Sequence, residues 1–173
     1  MDYKSSSKDL DIDDVKEGIS LQLITYLSAF MESFKEGKIK PAGVMYFNLA
    51  DKFTKISNLT LSKDKMVNET IKNLRMKGIF LKDMKILEIM DKNIENEDRL
   101  INVSARTAKS DKPSKSLLTE EEFDKICVDI KEILGSIGKE MIIDGKTEVK
   151  PNKKTEPCKY CKYLSICRKN NMC

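Results

Sequence analysis

The order of elements in the first fifty residues constrains the fold more than any other feature of the chain. A polar start, Met1-Asp2-Tyr3-Lys4-Ser5-Ser6-Ser7, reads as a short extended segment followed by a turn. Val15, Ile19, Leu23, Leu27, Phe30 and Phe34 then recur at helical spacing and predict one amphipathic helix over about residues 12–36. Asp9, Asp11, Asp13 and Asp14 precede or open it, where carboxylates cap free N–H groups and suit the positive end of the helix dipole. Gly37 is the expected stop. Pro41-Ala42 next leads into Gly43-Val44-Met45-Tyr46-Phe47-Asn48-Leu49, an apolar, β-forming run that reads as a buried strand. Two extended segments joined through a helix form a crossover unit, so they are expected to be parallel neighbours.

Further along, residues 62–76 predict a second helix carrying Met66, Val67, Ile71 and Leu74 and ending at Gly78. Ile79-Phe80-Leu81 reads as a brief apolar connection. Residues 82–90 predict a short helix that turns Met84, Leu87 and Ile89 or Met90 inward. Residues 91–116 are polar and read as irregular, with a possible small strand at Leu100–Val103 and disorder expected over 109–116. Thr119 with Glu122 three residues on is a capping box. The helix it starts places Phe123, Ile126, Ile130, Ile133, Ile137 and Met141 on one side and ends at Gly145. Cys127 lies beside that stripe and is assigned to core packing. The fold class is α/β, with no internal repeat and no glycine-rich phosphate loop.

The chain of 173 residues is long enough for one domain and an appended tail. Its net charge of +4 is unevenly placed, because residues 145–173 carry eight Lys or Arg against two Glu. Such a basic tail fits either proximity to a polyanion or a solvated charged surface. The most apolar run, Leu21–Met31, is broken by Gln22, Thr25 and Ser28, so no membrane span and no membrane partner are expected. A cytoplasmic location follows as the expectation.

The tail also holds Pro157-Cys158-Lys159-Tyr160-Cys161-Lys162-Tyr163-Leu164-Ser165-Ile166-Cys167, a C-x2-C-x5-C spacing. The chain has no histidine, which leaves an all-cysteine zinc or iron–sulfur centre as the metal reading. Cys127, Cys173 or a residue outside this polypeptide could supply a fourth ligand. A disulfide is the competing reading, weakened by the odd count of five cysteines. Gln22 and Tyr26, four residues apart, point the same way one turn apart. Taken alone, a polar pair at this spacing is better explained as a solvated or boundary feature.

Read together, several stretches resemble a PD-(D/E)xK nuclease of the RecB type. They are Asp2-Tyr3-Lys4-Ser5-Ser6, Gln22-Leu23-Ile24-Thr25-Tyr26-Leu27, Pro41-Ala42-Gly43-Val44-Met45-Tyr46-Phe47, Leu74 to Leu81, Glu121-Glu122-Phe123 and the closing cysteine run. Within that family the chain is similar to the C-terminal nuclease domain of AddB-type subunits of helicase–nucleases. The resemblance implies a restriction-endonuclease-like α/β core with added helices, spanning residues 1–145, and a basic iron–sulfur tail over 146–173. It implies that Asp2 is a ligand for Mg²⁺ or Mn²⁺, and that Lys4 positions the attacking water or stabilises the phosphorane. Gln22 and Tyr26 match the family's Q-x-x-x-Y motif at the active site. Cys158, Cys161 and Cys167 match three of four ligands of a [4Fe–4S] cluster.

What the resemblance implies as function is metal-dependent exonuclease action on DNA, within a helicase–nuclease that processes double-strand breaks for recombinational repair. DNA and an AddA-type subunit are the implied partners. In the family, a cluster cysteine and further metal-binding carboxylates precede the D-x-K strand. The chain given is therefore expected to be an inactive portion of the domain. Two other functions stay open: a metal- or cluster-stapled DNA-binding module without catalysis, and a standalone CRISPR-associated exonuclease of the RecB type.

Overall fold

The computed structural model describes residues 1–5, 8–34, 39–49, 63–146, 148 and 157–167. The chain divides into two compact units, Met1–Leu134 and Gly135–Cys173.

The first unit is built on a four-stranded sheet in the order β1-β2-β3-β4. Strand β1 (Asp2–Lys4) pairs in parallel with β2 (Gly43–Asn48), as the crossover argument requires, with Asp2 opposite Tyr46 and Lys4 opposite Asn48. Strand β2 runs antiparallel to β3 (Lys77–Leu81), and β3 is parallel to the short β4 (Leu117–Leu118).

The single long helix is two helices. Helix α1 (Ile12–Lys16) stops after one turn, and α2 (Gln22–Ser33) starts afresh. Between them Gly18 takes φ +80° and Ser20 φ +57°, left-handed conformations that interrupt the helical ladder. The break changes which residues face inward. Leu23, Ile24 and Ser28 are buried, while Phe30 and Phe34, expected in the core, are about half exposed. Gly37, the expected stop, lies outside the described residues.

Ile79–Leu81 is a strand, not a connection, and Gly78 does not end a helix but lies within β3. A Cβ on Gly78 would sit 2.0 Å from the Val44 carbonyl oxygen, so only glycine lets β3 approach β2 at this point. Helix α3 (Lys63–Leu74) occupies the predicted second helix, although Val67 is exposed. Helix α4 (Met84–Met90) is capped by Asp83 and buries Leu87, with Ile89 pointing outward.

The polar stretch after α4 is more ordered than its composition implies. The buried Asp91 carboxylate accepts hydrogen bonds from the backbone N–H groups of Asn93, Leu100 and Ile101. Ile101 forms a single parallel bridge with Met76, and α5 (Ala105–Ala108) follows under a Ser104 cap. The expected disorder over 109–116 is not the outcome at its end, where the Phe80 N–H donates to the Ser116 carbonyl at 2.9 Å. The capping box forms as read, with Thr119 N donating to Glu122 Oε2 at 2.8 Å and Glu122 N to Thr119 Oγ1 at 3.3 Å.

Both sheet faces are covered. On one, Val44, Tyr46, Ile79 and Leu81 pack with Val15, Leu23 and Ile24 and with Phe123, Ile126 and Ile130 of α6 (Glu120–Gly138). On the other, Phe80 and Leu117 pack with Leu87, Ile94, Ile101 and Val103. Asp2 and Lys4 share a sheet face with Tyr46 and Asn48, because paired residues of parallel strands point the same way. In the second unit a π-helical turn (Lys139–Ile143) and a 3-10 turn (Pro157–Tyr160) are described.

Candidate active site

Residues two apart on a strand point to one face, and β1 uses this to bring its charged pair together. Lys4 Nζ lies 2.7 Å from Asp2 Oδ2 and donates a hydrogen bond to Gln22 Oε1 at 3.3 Å. Gln22 is the first residue of α2, and its Nε2 donates to the Tyr26 hydroxyl one turn on, at 3.1 Å. The four residues read from two separate motifs thus form one connected chain of polar contacts.

Their charges are mutually reinforcing. The Lys4 ammonium holds the Asp2 carboxyl below its ordinary value of 3.8, and Asp2 raises Lys4 above 10.5, in each case against a smaller opposing effect of burial. The pair is therefore doubly charged across the neutral range.

Two neighbours of this site were not singled out by sequence reading. Tyr46, opposite Asp2, is fully buried, and among the described residues its hydroxyl has no hydrogen-bond partner. Burial pushes its phenol pKa upward, with Lys4 pulling down and Asp2 pushing up as lesser effects. Asn48, opposite Lys4, is buried and clasps the backbone of Lys8, accepting from its N–H at 3.0 Å and donating to its carbonyl at 3.2 Å. Strand alternation places Tyr46 and Asn48 on one face of β2, but only the register with β1 says what that face meets.

The family model for the PD-(D/E)XK nuclease superfamily matches residues 1–168. The chain belongs to the PD-(D/E)XK nuclease superfamily. Its mixed sheet flanked by helices is that superfamily's α/β fold. Three curated relatives share one description, the B subunit of an ATP-dependent helicase/deoxyribonuclease. The protein from Caldanaerobacter subterraneus is 36% identical over 172 residues, covering 97% of this chain and 15% of the relative. That of Alkaliphilus metalliredigens is 35% identical over 178 residues, covering 99% and 15%. That of Bacillus subtilis is 33% identical over 174 residues, covering 97% and 15%. The chain thus spans about 15% of the length of the curated relatives it matches.

PD-(D/E)XK nucleases use Mg²⁺ or Mn²⁺, and Asp2 offers the hard carboxylate oxygen such ions select. Among the described residues no group of three or more Cys, Asp or Glu converges to hold a metal ion. Mg²⁺ is commonly held through one or two carboxylates, keeping several waters and taking other ligands from substrate phosphate.

The cysteine run is locally turned by backbone bonds, Cys161 N to Cys158 O at 3.1 Å and Cys167 N to Tyr163 O at 2.9 Å. Cys158 is disulfide-bonded, Cys161 is an exposed thiol and Cys167 is half-buried. Cys127 packs half-buried against the core beneath α6, the role read for it, and burial raises its thiol pKa above 9.0. Cys173 lies outside the described residues. No helix among the described residues is long and apolar enough to cross a membrane.

Proposed function

We propose that this chain is the nuclease portion of an AddB-type subunit and that it contributes to metal-dependent hydrolysis of DNA phosphodiesters at double-strand ends. One observation carries the reading: Lys4 links the Asp2 carboxylate to the Gln22–Tyr26 pair, so that the D-x-K and Q-x-x-x-Y motifs form one polar network. Asp2 is the residue to hold Mg²⁺ or Mn²⁺. When bound, such an ion lowers the pKa of an attacking water and offsets charge on the phosphate. Lys4, kept protonated by Asp2, orients that water or neutralises charge developing on the phosphoryl oxygens. Gln22 fixes the direction of the Lys4 side chain, and Tyr26 fixes the amide of Gln22. The relatives are named as subunits of a helicase/deoxyribonuclease, which supports DNA as substrate and an AddA-type helicase–nuclease subunit as partner.

We further assign Cys158, Cys161 and Cys167 to a [4Fe–4S] cluster completed by a fourth ligand. Loading it requires reduction of the Cys158 disulfide.

The test is Mg²⁺-dependent cleavage of linear DNA by a polypeptide that contains this chain. Asp2→Ala and Lys4→Ala are each expected to lower the rate by about 10²-fold or more while DNA binding survives. Undiminished cleavage in both variants rejects the assignment. A second reading, a module that holds DNA without cutting it, draws support from the basic residues 145–173, with eight Lys or Arg against two Glu. Steep salt dependence of binding in a protein that never cleaves would favour it.

A further inference from the structure

The charges around β1 do not balance. Asp2 is paired with Lys4, and Asp9 is paired with Lys77 at 2.7 Å. Lys8, next to Asp9 in sequence, has no ion-pair partner among the described residues. Its ammonium lies 5.6 Å from the centroid of the Tyr46 ring, whose other cationic neighbour, Lys4, lies at 5.3 Å.

We propose that Lys8 is a second phosphate-binding residue of this site, gripping a DNA phosphate near the one that Asp2 and Lys4 address. The inference rests on the nuclease reading and adds to it a contact outside the D-x-K and Q-x-x-x-Y motifs. Three features make Lys8 a built contact and not a stray surface lysine. Its backbone is fixed on both sides by the buried Asn48 amide, so the side chain starts from a defined point. The Lys8 ammonium lies over the Tyr46 ring, the ring that Lys4 also approaches, and a ring face attracts a nearby cation. The buried Tyr46 hydroxyl has no hydrogen-bond partner among the described residues, and its ring centroid lies 5.3 and 5.6 Å from the Lys4 and Lys8 ammonium groups. Lys4 is paired with Asp2 and Lys77 with Asp9, so of these three lysines Lys8 alone has no ion pair among the described residues, and a phosphate takes up a point charge of this kind readily.

The test measures DNA binding by the full chain without divalent metal, using fluorescence anisotropy of labelled single-stranded and duplex oligonucleotides over a salt series. Each phosphate contact adds about 0.7 to the log–log salt slope on single strands and about 0.9 on duplex. Lys8→Gln is expected to weaken binding several-fold and to reduce the slope by one such increment, and Lys8→Arg to restore it. Asn48→Leu, which releases the Lys8 backbone, is expected to act in the same direction and to add little to Lys8→Gln. Lys85→Gln, on α4, is expected to leave the slope unchanged. A Lys8→Gln slope equal to that of the parent chain overturns the proposal and leaves the nuclease reading intact. Failure of the parent chain to bind either oligonucleotide overturns both.

Discussion

In the first unit Phe80, Phe123, Ile24 and Ile79 are completely buried, whereas in the second Ile142, Ile143, Tyr160 and Ile166 are each at least three-quarters exposed. The first unit has a sheet with both faces covered, so apolar residues arriving from distant parts of the sequence find a common interior. The second, residues 135–173, has local turns but no buried apolar residue among those described. Chains below about 40 residues rarely stabilise themselves by burial and usually need a disulfide, a metal or a partner. The cysteine run is where such a cross-link would act. One unit is held by its core, and the other has no buried apolar residue among those described to hold it in the same way.

The largest expected effect breaks this comparison most directly. Phe123→Ala should destabilise the first unit by about 3–5 kcal/mol, read from the urea midpoint, because the cavity sits against a sheet that cannot collapse onto it. In the second unit Ile142→Ala should stay within about 0.5 kcal/mol, since that side chain has nothing buried to lose. Equal costs at the two positions would mean that the units do not differ as described. Gly78→Ala belongs with the first group, because its Cβ would meet the Val44 carbonyl and the Met45 backbone, neither of which is a flexible side chain.

A second, smaller effect concerns the thiols. Anaerobic addition of iron and sulfide to the reduced chain should raise amide protection in the second unit and leave the core amides of the first unchanged. A brown chromophore should appear, and Cys161→Ser should remove both effects. If the second unit is as protected before loading as after, the cross-link is not what orders it.

The same contrast explains what could be read from the sequence. That Gln22 and Tyr26 point the same way was legible because it depends only on local geometry, residues four apart on a helix, whereas Asp2 and Lys4 were singled out through the family resemblance. Tyr46, Asn48 and Lys8 were not, because their meeting depends on a register between strands forty residues apart. The β1–α–β2 crossover followed from element order alone. Strand β3 was missed because it is apolar on both faces, so Ile79-Phe80-Leu81 lacks the alternation that marks a half-buried strand. The break at Gly18 was missed because the stripe from Val15 to Phe34 stays in phase across it. Periodicity alone does not register a glycine that takes positive φ.

Cysteine reactivity sharpens the comparison at a finer level. Cys127 is half-buried in the first unit with its thiol pKa raised, chiefly by burial, while Cys161 is exposed in the second. At neutral pH iodoacetamide should modify the exposed Cys161 at least about ten-fold faster than Cys127, since burial both raises the Cys127 thiol pKa and restricts access to it. Mass spectrometry of the partly labelled chain reads the two rates separately. Equal rates would place Cys127 outside the core that α6 covers.

The smallest effect is the pH dependence of the Asp2–Lys4 pair. The folded pKa of Asp2 is depressed, so its contribution to stability is present above the unfolded value of 3.8 and is lost as pH falls through the lower folded value. The folded pKa of Lys4 is raised, so its contribution is complete below 10.5 and is lost as pH rises through the higher folded value. Between these limits stability owed to the pair should be flat, and the Asp2–Lys4 pair should keep the same charges throughout. Lys4→Met removes the main cause of the Asp2 shift, and the carboxylate should then titrate closer to 3.8, as read from its side-chain carbon resonance. An Asp2 midpoint that does not move would show that Lys4 is not its principal partner in solution, and the polar network would lose its first link.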